Sequence, residues 1–139
     1  MQGVVYRRGD ARFEGKTAKE AIAAALADPE CAMVNRNAGS GTRIIIDRLL
    51  GPQRPPGYGV QTRSHNAVAA AVSQGRADWG VAIDTVARTY ELGFLPLQEE
   101  RYDFIVPRAR LARPAVQSFC ALLKDAQTRA ELAALGFRV

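Results

Sequence analysis

The sequence is short of the residues from which metal and nucleophilic centres are built, with 2 cysteines and 1 histidine in 139 residues. Cys31 and Cys120 lie far apart, each among apolar neighbours ("PECAMV", "QSFCALL"), so neither a disulfide framework nor a zinc site of familiar spacing follows. Both thiols are expected to be inert packing residues. The single histidine, His65, has no evident acid partner, and there is no Gly-x-Ser-x-Gly elbow and no pair of carboxylates in a plausible cleft. Binding is therefore expected rather than catalysis. No apolar run approaches the ~20 residues that span a bilayer, and "MQGVVYRRGD" has neither a secretory hydrophobic segment nor a cleavage site. A cytoplasmic protein with no membrane partner is expected. Lysine is scarce too, so the net charge of +5 rests on scattered arginines. That balance suits an anionic partner, but its dispersal argues against a nucleic-acid surface, and an arginine-biased composition accounts for it equally well.

What is present fits one ordinary domain with a sizeable core. "GVVY" reads as a short strand and "KTAKEAIAAALADPE" as an alanine-rich helix stopped at Asp28-Pro29. "CAMVN" is a buried strand candidate, followed by a helix through "TRIIIDRLLG" and a proline-glycine loop, "GPQRPPGYG". A strand at "GVQT" leads to a helix capped by Ser64 and stopped at Gly75, and "ADWGVAI" is the next strand. Asp84 caps a helix that Gly93 closes. "FLPL" and "YDFIVP" are two further strand candidates, and the tail gives two helices, opened by Pro114 and ended by Gly136. Strands and helices alternate from end to end, which predicts a layered α/β fold with a largely parallel sheet.

The most informative stretch is "NRNAGSGTRIIIDRLL", residues 35–50. It lacks the spacing and the lysine of a P-loop, and it has neither the third glycine nor the acidic ribose partner of a dinucleotide fingerprint. What it shares with both is a glycine-flanked turn entering a helix, where unpaired backbone N–H groups and the helix dipole favour a small oxyanion. Ser40 and Thr42 can add hydroxyl donors, and Gly41 admits close approach. A plain helix cap explains the same residues, so the second occurrence matters: "TRSHNAVAAAV" places Ser64 and His65 at another helix start, and in an open parallel sheet such turns share one crevice. Arg43 and Arg63 stand beside the two turns, where a guanidinium could neutralise a dianion or simply reach into water. Asp84 and Tyr102 are further ligand candidates that structural roles would explain equally.

Taken together, "VNRNAGSGTRIIIDRLL", "GYGVQTRSHNAVAAAVSQGRADWGVAIDTVA" and "LGFLPLQEERYDFIVP" resemble the periplasmic-binding-protein-like domain, type II and LysR substrate-binding-like, of bacterial proteins related to molybdate- and tungstate-binding proteins. In that family the domain is fused to DNA-binding regulators or to the molybdopterin molybdotransferase of molybdenum-cofactor synthesis, and this chain looks closest to the second kind. The resemblance implies an α/β fold across residues 1–139, with one complete three-layer lobe at about 1–100. Residues from about 101 onward would be the remainder of the other lobe, whose first half is absent, so the chain is expected to be a piece of a longer protein or a short form that pairs to complete its cleft. It also implies a non-catalytic sensor with no cofactor, whose ligand is molybdate or tungstate. Ser40, Gly41 and Thr42 would form the first oxyanion turn, Ser64 and His65 the second, with Tyr102 near the return crossing between lobes. Alternatives are a different small organic ligand, or part of an enzyme that handles a phosphorylated cofactor intermediate with His65 as acid–base. An incomplete lobe would expose apolar surface, from which a homodimer through residues 103–139 is expected.

Overall fold

A computed structural model describes residues 1–138. The chain divides into two compact units, Met1–Glu100 and a smaller one that begins at Arg101. The first contains β1 (Gln2–Tyr6), α1 (Ala18–Ala27), β2 (Met33–Arg36), α2 (Gly41–Leu50), β3 (Gln61–Thr62), α3 (His65–Ser73), β4 (Trp79–Ile83), α4 (Asp84–Thr89) and β5 (Gly93–Gln98).

The five strands form one sheet in the order β3-β2-β4-β1-β5. β2 runs parallel to both β3 and β4, but β1 is antiparallel to β4 and to β5. The expectation of a largely parallel sheet thus holds for β3, β2 and β4 and fails at β1, which runs the other way between β4 and β5. Hydrophobic pattern does not encode strand direction: "GVVY" is buried on both faces and would read the same either way round. The consequence for function is geometric. With β1 reversed, its first residue stands at the edge where β2, β3, β4 and β5 all end.

Side-chain alternation along the strands builds a core on each face of the sheet. Val4, Tyr6, Met33, Trp79, Val81 and Leu95 pack with Ile22 and Ala25 of α1 and with Ile46 and Leu50 of α2. Val5, Val34 and Ala82 pack with Val68 and Val72 of α3 and with Ala87 of α4. Helix α1 starts at a capping box in which the Thr17 hydroxyl accepts from the Glu20 N–H while the Glu20 carboxylate accepts from the Thr17 N–H. Ser40 and Ser64 cap α2 and α3 as the sequence predicts. Asp84 differs: the cap position is Ile83, and Asp84 is the first helical residue, where an acid complements the dipole. Gly93 opens β5 rather than closing α4, which ends at Thr89.

The amino-terminal edge of the sheet is tied by Asp78. Its carboxylate accepts from Arg7 at 2.8 Å, from Arg12 at 3.1 Å and from the Ala32 N–H at 2.8 Å. Arg7 also donates to the Val72 and Ala77 carbonyls, at 3.0 and 2.6 Å, and Arg12 reaches Asp10 and Asp28. One carboxylate therefore joins the end of β1, the end of α3 and the segment entering β2. Cys31, buried beside this cluster, has its thiol pushed up to about 11 by desolvation and is a packing residue, as its neighbours predict.

The second unit consists of a short helical turn (Arg108–Arg110), α5 (Pro114–Leu122) and α6 (Ala126–Ala134). The expected strand "YDFIVP" does not form: residues 101–107 have no regular structure, and every regular element of this unit is helical, so an extended segment there has no partner for its ladder. Among its described residues none is buried, although Phe104 and Phe119 meet edge to face at 4.8 Å between centroids.

Asp78→Ala is expected to lower stability by roughly 1–3 kcal/mol, since it leaves the Ala32 N–H without its acceptor and removes one of the partners of Arg7 and of Arg12. Urea denaturation followed by Trp79 fluorescence measures it, and a loss below about 1 kcal/mol would mean the cluster is dispensable.

Candidate functional site

The carboxyl edge of the sheet collects most of the residues singled out by the sequence. β2 and β3 are neighbours in parallel register, with Arg36 opposite Thr62. Beyond the last pair, the Asn37 N–H donates to the Thr62 carbonyl at 2.9 Å, and the Ala38 N–H donates to the Gln61 Oε1 at 3.2 Å. The turn after β2 is thus hydrogen-bonded to the end of β3, and a helix start follows each strand at this edge, with α2 packed on one face of the sheet and α3 on the other.

Each start has the same construction. The Ser40 hydroxyl oxygen accepts from the Arg43 N–H at 3.2 Å, leaving its own O–H to donate outward, and the first helical bond runs from Ile44 to Ser40. The N–H groups of Gly41 and Thr42 then have no intrahelical acceptor. The Ser64 hydroxyl oxygen accepts from the Ala67 N–H at 3.1 Å, and Val68 makes the first helical bond to Ser64. This leaves the N–H groups of His65 and Asn66 in the same position. Gly39 adopts a φ of +83°, which closes the turn. Gly41 is in no such region, and a Cβ placed on it would meet nothing within 4 Å. Neither backbone strain nor packing requires glycine there.

Arg36, which the sequence reading passed over, is a buried cation at this edge. It is the last residue of β2, only 8% exposed, and points to the α3 face. Its Nη1 lies 3.2 and 3.3 Å from the two ring nitrogens of His65, so neither nitrogen is singled out. Burial lowers the His65 pKa from its ordinary value and Arg36 lowers it further, while Glu100 opposes them. The imidazole is neutral at pH 7. The signal that could have found Arg36 is an arginine closing a strand otherwise made of core residues, directly before a donor-rich turn.

The other candidates divide. Arg43 contributes its N–H to the Ser40 cap, but its guanidinium is engaged elsewhere: Nε donates to Asp47 at 2.8 Å, Nη2 to the Tyr58 hydroxyl at 2.5 Å and Nη1 to the Arg36 carbonyl at 3.2 Å. The geometry gives Arg43 a positioning role. Thr42 is buried. Asp84 stands at the end of β4, on the same edge, where its Oδ1 accepts from the Thr85 N–H at 3.0 Å. Tyr102 belongs to the second unit, 60% exposed, with its ring 5.9 Å from that of Phe137. Gln2, at the start of β1, is buried at this edge too, and its Oε1 has no hydrogen-bond partner. Among the described residues no group of histidines, cysteines and carboxylates could hold a metal ion, and no helix is long and apolar enough to cross a membrane.

A sheet with helices on both faces and paired helix starts at its carboxyl edge is a ligand-binding scaffold. The family model of the PBP superfamily domain matches residues 1–124, and the chain belongs to that superfamily of periplasmic-binding-protein-like domains. It is 38% identical over 79 residues to a Bacillus subtilis (strain 168) protein named "Uncharacterized protein YvgK", a match that covers 53% of this chain and 26% of that one. It is also 30% identical over 99 residues to a Clostridium pasteurianum protein named "Uncharacterized protein in ferredoxin 2Fe-2S gene 5'region", covering 67% of this chain and 88% of that one. The chain thus spans about a quarter of the length of the Bacillus relative. No solved structure matches it.

Because the folded His65 pKa lies below its unfolded value, the unfolded chain binds the proton more readily, and stability falls as pH drops below about 6.5 until the folded group also protonates. Proton NMR of the lone imidazole is expected to give a titration midpoint below 6.5, and a midpoint at or above it would contradict the buried neutral ring.

Proposed function

We propose that this domain binds a small tetrahedral oxyanion, molybdate or tungstate, reversibly and without chemistry, at the carboxyl edge of its sheet. The observation that carries this reading is the pair of serine-capped helix starts joined by the Asn37 to Thr62 hydrogen bond. Hydroxyls of Ser40 and Ser64, with the backbone N–H groups of Gly41, Thr42 and His65, supply donors of the kind that replace an oxyanion's hydration shell. The open space around Gly41 supports it, since a ligand lying on the backbone is a reason for glycine where folding gives none.

The resemblance of "VNRNAGSGTR" and "SHNAVAAAV" to domains of molybdenum-cofactor proteins supports the choice of anion and a place within a longer cytoplasmic protein, as a sensor of synthesis or of its regulation. The Bacillus relative, of which this chain matches only 26%, is in keeping with that arrangement. Membership of a binding superfamily favours this over the enzyme reading, and so does His65, whose ring lies against a guanidinium where a general base would be expected to meet a carboxylate.

Titration calorimetry with molybdate, tungstate and sulfate tests the reading. Micromolar or tighter binding of molybdate or tungstate over sulfate is expected, weakened about tenfold or more by the Ser40→Ala and Ser64→Ala double substitution, each charge-assisted bond contributing about 1.5–3 kcal/mol. Absence of binding by the unsubstituted protein would refute it.

A further inference from the structure

We infer that Gln2 completes the oxyanion site from the face of the sheet that carries α2, its carboxamide turning over to donate a hydrogen bond to the bound anion. This rests on the oxyanion reading and adds to it a ligand contact outside the two turns.

Burial without a partner is the first reason. Gln2 is only 4% exposed, and its Oε1 accepts no hydrogen bond. A buried carboxamide oxygen left unmet costs free energy that a methionine of similar size would not incur. Val4 and Tyr6, which share its face of β1, are core residues, so packing gives no reason for an amide there. Asn37 repeats the pattern: its Oδ1 is buried without a partner, while its Nδ2 makes only a long bond, 3.3 Å, to the adjoining Ala38 carbonyl. Among the described residues these are the two buried carboxamide oxygens with nothing to accept from.

Their placement is the second reason. Side chains alternate along a strand, so Gln2 lies on the face of Val4 and Tyr6, where Ile46 and Leu50 of α2 pack. The N–H groups of Asn35 and Asn37 both point to the β3 side, donating to the Val60 and Thr62 carbonyls, so the alternation of β2 runs on and sets Asn37 on the face of Met33, which is the same one. Gln2 stands opposite Ile83 of β4, and the pairing of Val34 with Gly80, carried three residues further, brings Asn37 level with Ile83 from the other side. The two carboxamides thus flank the end of β4 at the carboxyl edge, one strand spacing of about 4.8 Å to either side. Helix α2 begins at Gly41, four residues after Asn37, and the N–H groups of Gly41 and Thr42 without intrahelical acceptors belong to that start.

An oxygen facing an oxyanion would repel it, but a carboxamide exchanges its oxygen for its NH2 by half a turn about its last bond. The Gln2 oxygen gives up no hydrogen bond on turning, so the anion decides which end faces it. Occupancy of the site then satisfies a group that the fold leaves unmet.

Tungstate binding and folding stability, measured on the same variant, test this. Gln2→Met keeps the length of the side chain and removes both polar atoms of the amide. In calorimetry it is expected to weaken tungstate binding at least about tenfold, the loss of one charge-assisted bond, and in urea to leave the unfolding midpoint of the free protein unchanged or higher. A residue that merely held the fold would lower both. Weakening of less than about tenfold overturns the inference, and so does a lower midpoint or a failure to fold, since Gln2 would then already have its partner in the free protein. Without any substitution, proton–nitrogen NMR gives a second reading: the side-chain N–H signals of Gln2 are expected to move as tungstate saturates the site, and signals that stay in place overturn the inference. Failure of the unsubstituted protein to bind tungstate refutes the oxyanion reading itself.

Discussion

Everything at the carboxyl edge depends on one short ladder. β3 is only two residues long and is held to the sheet through Asn35 and Arg36 of β2. The ladder survives beyond the strands because the Asn35 N–H donates to the Val60 carbonyl on one side and the Asn37 N–H to the Thr62 carbonyl on the other. Side chains reinforce it: the buried Asn35 donates its amide to the Tyr58 carbonyl at 3.0 Å, and the Thr62 hydroxyl donates to the Asn35 carbonyl at 3.2 Å. A polar residue fully inside a strand would be a liability on desolvation grounds, and here its hydrogen bonds place the proline-glycine loop and with it the second helix start. Gly57 belongs to the same arrangement. It sits at a φ of +80° so close to Met33 that a Cβ would meet the Met33 carbonyl, which lets the loop lie down on β2.

Most of the first unit was legible in the chain because its signals are local. Serine followed by an apolar periodic run specifies a cap, and both Ser40 and Ser64 are caps with the expected hydrogen bonds. Strand direction was not legible, because "GVVY" carries no turn or cap that says which way it enters the sheet, and its placement between β4 and β5 is decided by pairings far along the chain. "YDFIVP" failed for the complementary reason. Its apolar content satisfies a strand pattern, but a strand exists only with a neighbour, and residue composition cannot supply one. At the candidate site the turns were visible and Arg36 was not, since a lone arginine at a strand end looks like a solvated charge until α3 is seen to cover it.

The arginines as a group take different roles from those that net charge suggests. Arg7 and Arg12 bind carboxylates and carbonyls across the amino-terminal edge, and Arg43 and Arg54 lie over the Tyr58 ring at 4.6 and 4.5 Å from its centroid. Planar, multidentate donors suit such junctions in a way lysine does not. The chemistry of the opposite edge then rests on fewer charges than the composition advertises.

The reversed strand β1 also governs how this unit can assemble. β1 pairs Gln2 with Ile83 and with Gln98, so it must wait for segments some eighty or more residues further along the chain before it has either neighbour. Loop closure over that separation slows acquisition of the sheet, and until it occurs β4 and β5 each present an open edge to other chains. The five residues of β1 thus join β5 to the other three strands of the sheet. Without them β5 would have no neighbour and β4 would keep an open edge, which favours strand exchange and aggregation.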